Sequence, residues 1–438
     1  MKRKIYNELL KWKNNTTNIK PLMLLGVRQS GKTYVIEEFC KNEFSNYVSI
    51  NLFERKDIIE LYNTNLTSQE KFNRLKLLID FDIEKEDTIL FIDEIQESEK
   101  LIAELKFFCE EYNSVRIICA GSLLGVKLKR SSSSFPVGKV KMLNLYPMDF
   151  EEFLCAMGYD DLITLIKDCY NSNKQMSLPV HEKALNLYKL YLATGGMPES
   201  IQNIVNVNKD YIKYDTSILK DILKSYFNDM NKYVTSDAEA LKINRVYNSL
   251  PTQLSNISNK FQFSKVEKKG KSRDYATSLD WLEASSMVLR CKCVKTPMIP
   301  LEGFVLEDTF KLYLSDVGIL NSLLKLNIKD IISDNISLYK GIIVENYVAN
   351  QLLCNGYDLY YYRKEKNENE IDFLIYTSDG VIPLEIKAGL NTKSKSLESY
   401  IKEFKPKYSI RVSMKEFGYD PKTNIKSVPL YAVFCIKD

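Results

Sequence analysis

The feature that most restricts what this chain can fold into is the run Gly26-Val27-Arg28-Gln29-Ser30-Gly31-Lys32-Thr33. It fits the pattern G-x-x-x-x-G-K-[ST] and stands between an apolar segment, PLMLL, and a helical one, TYVIEEFC. A strand that turns through glycines into a helix points successive backbone N–H groups at phosphate oxygens, and the helix adds its positive N-terminal end. In such a loop Lys32 reaches the β- and γ-phosphates and the Thr33 hydroxyl binds Mg²⁺. A second segment, Thr88-Ile89-Leu90-Phe91-Ile92-Asp93-Glu94, reads as an apolar strand that delivers Asp93 to the same ion. Glu94 is then placed to orient and activate a water, which argues for hydrolysis rather than binding alone. The apolar run VRIICAGS ends near Ser122, a candidate sensor of the γ-phosphate, and Arg116 and Arg130 are the candidates for an arginine finger. ATP and Mg²⁺ are the cofactors this set implies.

The surroundings of these motifs predict the fold. PLMLLGV, NYVSINL, TILFIDEI, VRIICAGS and KVKMLNLYP are short, near-continuous apolar runs separated by helical patterns. Such strands belong to a parallel sheet covered on both faces. The pattern turns helical from about residue 148, with TGGMPES punctuating two helices, and ends near VLRCKCV as a winged-helix-sized module. After the prolines at 297 and 300 the order becomes α-β-β-β-α-β, through GIIVENYVANQLL, YDLYYYR, EIDFLIY, VIPLEIK, SLESYIKEF and YSIRVSM. The expected division is 1–160 for a P-loop domain, 161–300 for a helical and winged-helix-like connector, and 301–438 for a C-terminal sheet domain. The fold class is α/β and multidomain. The four serines at 131–134 read as a flexible turn.

Composition narrows the chemistry. No run of about 18 or more uncharged apolar residues occurs, so no membrane span is expected, and the basic start MKRKIYNELLKWKNN reads as an amphipathic helix rather than a signal peptide. The nine cysteines lie among apolar neighbours, and the close pair Cys291 and Cys293 has no second pair to complete a zinc site; reduced thiols in a cytoplasmic protein are expected. The one histidine, His181, cannot make a multi-histidine metal centre, so chemistry rests on carboxylates, lysines and hydroxyls. A net charge of +4 says little about nucleic acid. The lysine-rich runs KVEKKGKSR and KSKSLESYIKEFKPKYSIR read first as solvated faces.

The hairpin EIDFLIYTSDGVIPLEIK interrupts apolar runs with Asp372, Glu385 and Lys387. Antiparallel pairing brings Asp372, near the start of one strand, close to Glu385, near the end of the other. Glu385 and Lys387 share one face of their strand, as do Glu370 and Asp372. Two carboxylates that hold Mg²⁺ and a lysine that positions water are what metal-assisted cleavage of a phosphodiester requires. Tyr360, Tyr361 and Tyr362, and likewise Tyr275 and Trp281, read as packing residues before base-stacking ones.

Taken together, LLGVRQSGKT, ILFIDEIQ, AGSLLG, FPVGKVKMLNLYPMDFEEFL, GGMPE and GIIVENYVANQLL…YYYR…EIDFLI…PLEIKAG resemble a family of prokaryotic AAA-type ATPases. Members carry a C-terminal domain of unknown function that resembles PD-(D/E)xK restriction-endonuclease-like folds. The resemblance covers nearly the whole chain. It departs at Lys139, where members have arginine, and at Ile371, where a proline would precede Asp372. It implies ATP binding and hydrolysis, a metal site drawing on Asp372, Glu385 and, from its helix, Glu345, and by analogy assembly into a homo-oligomer. The expected function is a Mg²⁺-dependent ATPase coupled to a nuclease-like domain that acts on DNA or RNA. The alternative is an ATP-dependent switch whose C-terminal domain binds a partner without cleaving. A metabolic P-loop kinase is disfavoured by Glu94 following Asp93.

Overall fold

The first strands fold as they do because their apolar side chains alternate between two cores. In the computed structural model β1 (Leu22–Leu25), β2 (Asn46–Asn51), β3 (Thr88–Asp93), β4 (Arg116–Ala120) and β5 (Lys141–Asn144) form one parallel sheet in the order β2-β3-β4-β1-β5. Met23, Leu90, Ile92, Ile117 and Cys119 enter the core on one face. Leu22, Leu24, Ile89, Phe91, Ile118 and Ala120 enter the core on the other, against Val35, Ile36 and Phe39 of the helix Lys32–Glu43. Two buried faces explain the unbroken apolar runs. The structure describes all residues except 18, 113, 131–134, 235, 256–259, 365–368 and 391–393, with backbone alone at 130, 337 and 338. The serine turn expected at 131–134 therefore lies outside the described residues.

Two compact units divide the chain: Met1–Tyr146 with Ala284–Ser286, and Pro147–Glu283 with Met287–Asp438. The first holds the parallel sheet. The second begins with a run of helices that includes Leu178–Thr194, Pro198–Asn206, Ser217–Lys232 and Asp237–Leu254. The TGGMPES stretch closes one of these helices and opens the next, with Pro198 at the first helical position. There the Gly196 N–H donates to Asp316 Oδ2 at 2.6 Å, and Asp316 Oδ1 caps the helix Val317–Leu324 through the Ile319 N–H at 3.0 Å. Helices Asp237–Leu254, Phe263–Val266 and Ser272–Ala284 run into the antiparallel pair β6 (Val288–Val294) and β7 (Val305–Leu314), the order of a winged helix.

That hairpin is also part of a larger sheet. Strands β8 (Tyr360–Arg363), β9 (Glu370–Thr377), β10 (Gly380–Ile386), β11 (Ser409–Ser413), β12 (Gly418–Asp420) and β13 (Ile425–Pro429) join it in one mixed eight-stranded sheet, ordered β12-β13-β11-β10-β9-β8-β6-β7. Because β6 pairs in parallel with β8, the sheet draws on residues on either side of 300. The helix Ser337–Cys354, β8, β9, β10, the helix Lys395–Phe404 and β11 follow one another as α-β-β-β-α-β.

Several residues weighed from sequence turn out to be packing groups. Tyr361 is fully buried and Tyr360 and Tyr362 nearly so; Tyr275 and Trp281 are equally inside, with the indole N–H donating to the Tyr233 carbonyl at 3.2 Å. His181 is buried with Nδ1 at 2.9 Å from the Tyr431 hydroxyl and 3.3 Å from Glu416. All nine cysteines are free thiols.

Candidate nucleotide site and acidic centre

In a parallel sheet the loops that carry chemistry leave the C-terminal strand ends. Registers Leu24↔Ala120 and Ile92↔Cys119 bring the ends of β1, β3 and β4 level, so Gly26, Asp93 and Gly121 issue from one edge. Tight backbone shapes the loop after β1. Gly26 has φ of 150°, and a Cβ there would lie 2.2 Å from the Leu145 carbonyl oxygen, so only glycine fits. Gln29 and Gly31 have φ of 63° and 90°, which turn the chain into the helix Lys32–Glu43.

Lys32 is buried and donates to the carbonyls of Gly26 at 2.8 Å and Val27 at 2.9 Å. The Thr33 hydroxyl donates to Asp93 Oδ2 at 2.9 Å, which joins the two motifs across 60 residues of chain. Burial raises Asp93 above the usual carboxylate range, opposed by the Thr33 hydrogen bond and raised further by Glu94. A hydroxyl and a carboxylate in contact are a donor set that suits Mg²⁺. Glu94 follows with φ of 53°, a strained value for a non-glycine residue. Ser122 is half-buried in the turn two residues beyond β4.

Arg28 is half-buried within the same loop, and Ser30 is fully buried. The N-terminal segment supplies a contact that no motif announces: Arg3 donates to the carbonyls of Ser30 at 2.8 Å and Tyr146 at 2.6 Å, bracing the loop. Arg116 lies at the first residue of β4, the far end from Gly121, donating to the carbonyls of Lys13 at 2.9 Å and Asn15 at 2.8 Å with its guanidinium over Trp12. That is a structural tether. The Arg130 side chain lies outside the described residues. Lys139 pairs with Glu110 at 2.8 Å.

In the second unit the pairing Leu384↔Phe373 sets Asp372 beside the end of β10, where its Oδ2 accepts from the Ile386 N–H at 2.7 Å. Glu385 Oε1 accepts from Lys387 Nζ at 2.6 Å and from the Ser394 hydroxyl at 2.8 Å, while its Oε2 is buried without a hydrogen-bond partner. Burial, and then Glu385 and Glu345, hold Asp372 well above its ordinary range. An orphaned carboxylate oxygen next to a carboxyl that resists ionising marks a place a divalent cation would suit.

Glu345 has other partners. Lys311, fully buried on β7, donates to it at 2.8 Å and to Glu370 at 2.6 Å, and the Tyr313 hydroxyl donates to Glu345 as well. Among the described residues no group of three or more His, Cys, Asp or Glu is arranged to hold a metal ion. Sequence reading missed Lys311, Tyr313 and Ser394; the one local signal was a lysine inside the apolar strand FKLYLSD.

Comparison with known proteins agrees with the first unit and leaves the second undefined. Residues 18–154 match a family described as AAA domain. Residues 185–330 and 340–433 match domains of unknown function (DUF8612 and DUF4143). No curated protein matches the chain. Among solved structures, the chain is similar to a Walker-type ATPase of Pyrococcus abyssi (15% identity, 73% of this chain and 94% of that one, TM-score 0.43). It is also similar to the ORC2 protein of Aeropyrum pernix (12%, 76% and 93%, 0.34) and to DnaA of Aquifex aeolicus (13%, 64% and 87%, 0.29). Likenesses this loose assign neither substrate nor partner. The parallel sheet, its phosphate loop and the AAA match together define an AAA-type P-loop ATPase domain in the first unit. No helix among the described residues is long and apolar enough to cross a membrane.

Proposed function

We propose that the chain is a Mg²⁺-dependent ATP hydrolase of the cytoplasm whose C-terminal unit acts on, or is addressed to, nucleic acid. The observation that carries the hydrolase reading is the 2.9 Å contact between Thr33 and Asp93, with Glu94 the next residue. Backbone N–H groups from Gly26 to Gly31 hold the phosphate oxygens, and Arg28, Gln29 and Ser30 shape that loop. Lys32 exchanges its carbonyl partners for the β- and γ-phosphates of ATP. Thr33 and Asp93 would hold Mg²⁺, which when bound neutralises phosphate charge. Glu94 takes a proton from the attacking water, and Ser122 senses the γ-phosphate. Nine free thiols suit a reducing compartment. Assembly into a homo-oligomer belongs to this proposal as analogy with AAA proteins alone.

For the second unit, Asp372 and Glu385 would hold a divalent cation and Lys387 would position water for phosphodiester cleavage. The competing reading, a partner-binding domain that does not cut, is favoured by Lys311. It neutralises Glu345 and Glu370 internally and leaves two carboxylates, not three, for an ion. One set of assays separates these. Lys32→Ala abolishes ATP turnover under either reading. Under the nuclease reading, wild-type protein with ATP and Mg²⁺ or Mn²⁺ nicks DNA or RNA, and Asp372→Ala stops the nicking while ATP turnover persists. Wild-type protein that leaves every DNA and RNA form intact selects the partner-binding domain.

A further inference from the structure

Gln96, in the single turn Ile95–Glu97 after β3, is 1% exposed and has no role in the nucleotide chemistry described so far. Its Nε2 donates to Glu94 Oε2. The amide cannot be turned around, because Oε1 would then face the carboxylate as acceptor against acceptor. In this orientation Oε1 is buried without a hydrogen-bond partner. It is pressed against Gly121, where an added Cβ would lie 1.9 Å away. Gly121 follows β4 directly and precedes Ser122. One buried side chain thus bridges the residue after the magnesium-binding aspartate and the turn that carries the sensor candidate.

A space-filling role does not account for this. An orphaned buried carbonyl carries a desolvation cost that an apolar side chain of the same shape would avoid. Glu94, by contrast, has a use for the amide. Its backbone is left-handed, so its side chain leaves the strand end in a direction that strand geometry does not fix. A hydrogen bond donated to one carboxylate oxygen sets the rotamer and leaves the other oxygen to accept a water proton. We infer that Gln96 is the positioning residue for Glu94, and that its contact with Gly121 ties the base to the strand end bearing Ser122. This inference rests on the ATP-hydrolase reading.

The test is steady-state phosphate release by the full chain as a function of ATP concentration, beside equilibrium binding of a fluorescent ATP analogue. Gln96→Ala lowers kcat about ten- to a hundredfold, below the effect of losing a general base outright. KM and nucleotide affinity stay within about twofold, so the loss falls on kcat alone. Gln96→Glu keeps the volume but not the donor, and gives the same direction; a packing role would leave it near wild type. Gly121→Ala displaces the amide without removing it and lowers kcat more weakly. Wild-type kcat in Gln96→Ala, or in both Gln96→Glu and Gly121→Ala, overturns the inference. Failure of the parent reading looks different: wild-type protein then releases no phosphate that Lys32→Ala abolishes, and the inference falls with it.

Discussion

Two lysines, Lys32 in the first unit and Lys311 in the second, are both buried, yet their surroundings set them to opposite tasks. Lys32 donates to the carbonyls of Gly26 and Val27, and its charge also favours ionisation of Asp93. Lys311 sits between the carboxylates of Glu345 and Glu370. Burial alone would depress its pKa; Glu345, Glu370 and Asp372 outweigh that and hold it well above the ordinary lysine value. A buried cation held by backbone carbonyls can exchange them for the oxygens of an incoming phosphate. A buried cation already neutralised is part of the fold. The same contrast runs through the two sites: one is shaped by backbone around a ligand to come, the other is largely satisfied by its own residues.

The largest effect that would sharpen this contrast is on stability. Lys311→Met leaves Glu345 and Glu370 buried without their cation and should cost the second unit roughly 3–5 kcal/mol, seen as a lower urea midpoint. Lys32→Met should lower the midpoint less than Lys311→Met, because it leaves no pair of buried carboxylates without their cation, while removing ATP turnover. Equal destabilisation by the two variants would erase the distinction.

A smaller effect tests burial of charge where no lysine answers it. Asp316, inside the second unit, has its pKa raised from 3.8 to about 6 by burial, against hydrogen bonds from the Gly196, Ile319 and Gly318 N–H groups. The folded state therefore holds a proton that the unfolded state has lost between those values. The stability this contributes is complete below about pH 4 and is lost as pH rises through about 6. Asp316→Asn, which cannot ionise, should flatten that part of the pH dependence, read as the difference between wild-type and variant urea midpoints at pH 5 and pH 7.5. Parallel curves for the two proteins would show that Asp316 stays ionised in the fold.

How much of this was legible in the sequence depends on how locally each feature is encoded. The phosphate loop is eight consecutive residues with a strand before and a helix after, and the structure places them so. The α-β-β-β-α-β order and the Asp372–Glu385 end of the hairpin could be read because period-two alternation and a Ser-Asp-Gly turn fix the register. The acidic centre as a whole could not, because Lys311, Glu345, Glu370 and Glu385 come from four elements that only the tertiary fold assembles. His181 shows the same limit: its ring is buried on Tyr431, 250 residues away, a contact no local pattern encodes. Gln96 was visible in the DEIQ run, yet nothing there says that its amide lies between Glu94 and Gly121.

The claim on which the rest depends is that Glu94 at the end of β3 activates water for ATP hydrolysis. It is tested most directly by single-turnover phosphate release and ATP binding, measured side by side for wild-type protein and Glu94→Gln. The account predicts Mg²⁺-dependent release by wild-type protein, and a variant that binds ATP with comparable affinity but releases phosphate at least about a hundredfold more slowly. Glu94→Gln turning over ATP at the wild-type rate would contradict it.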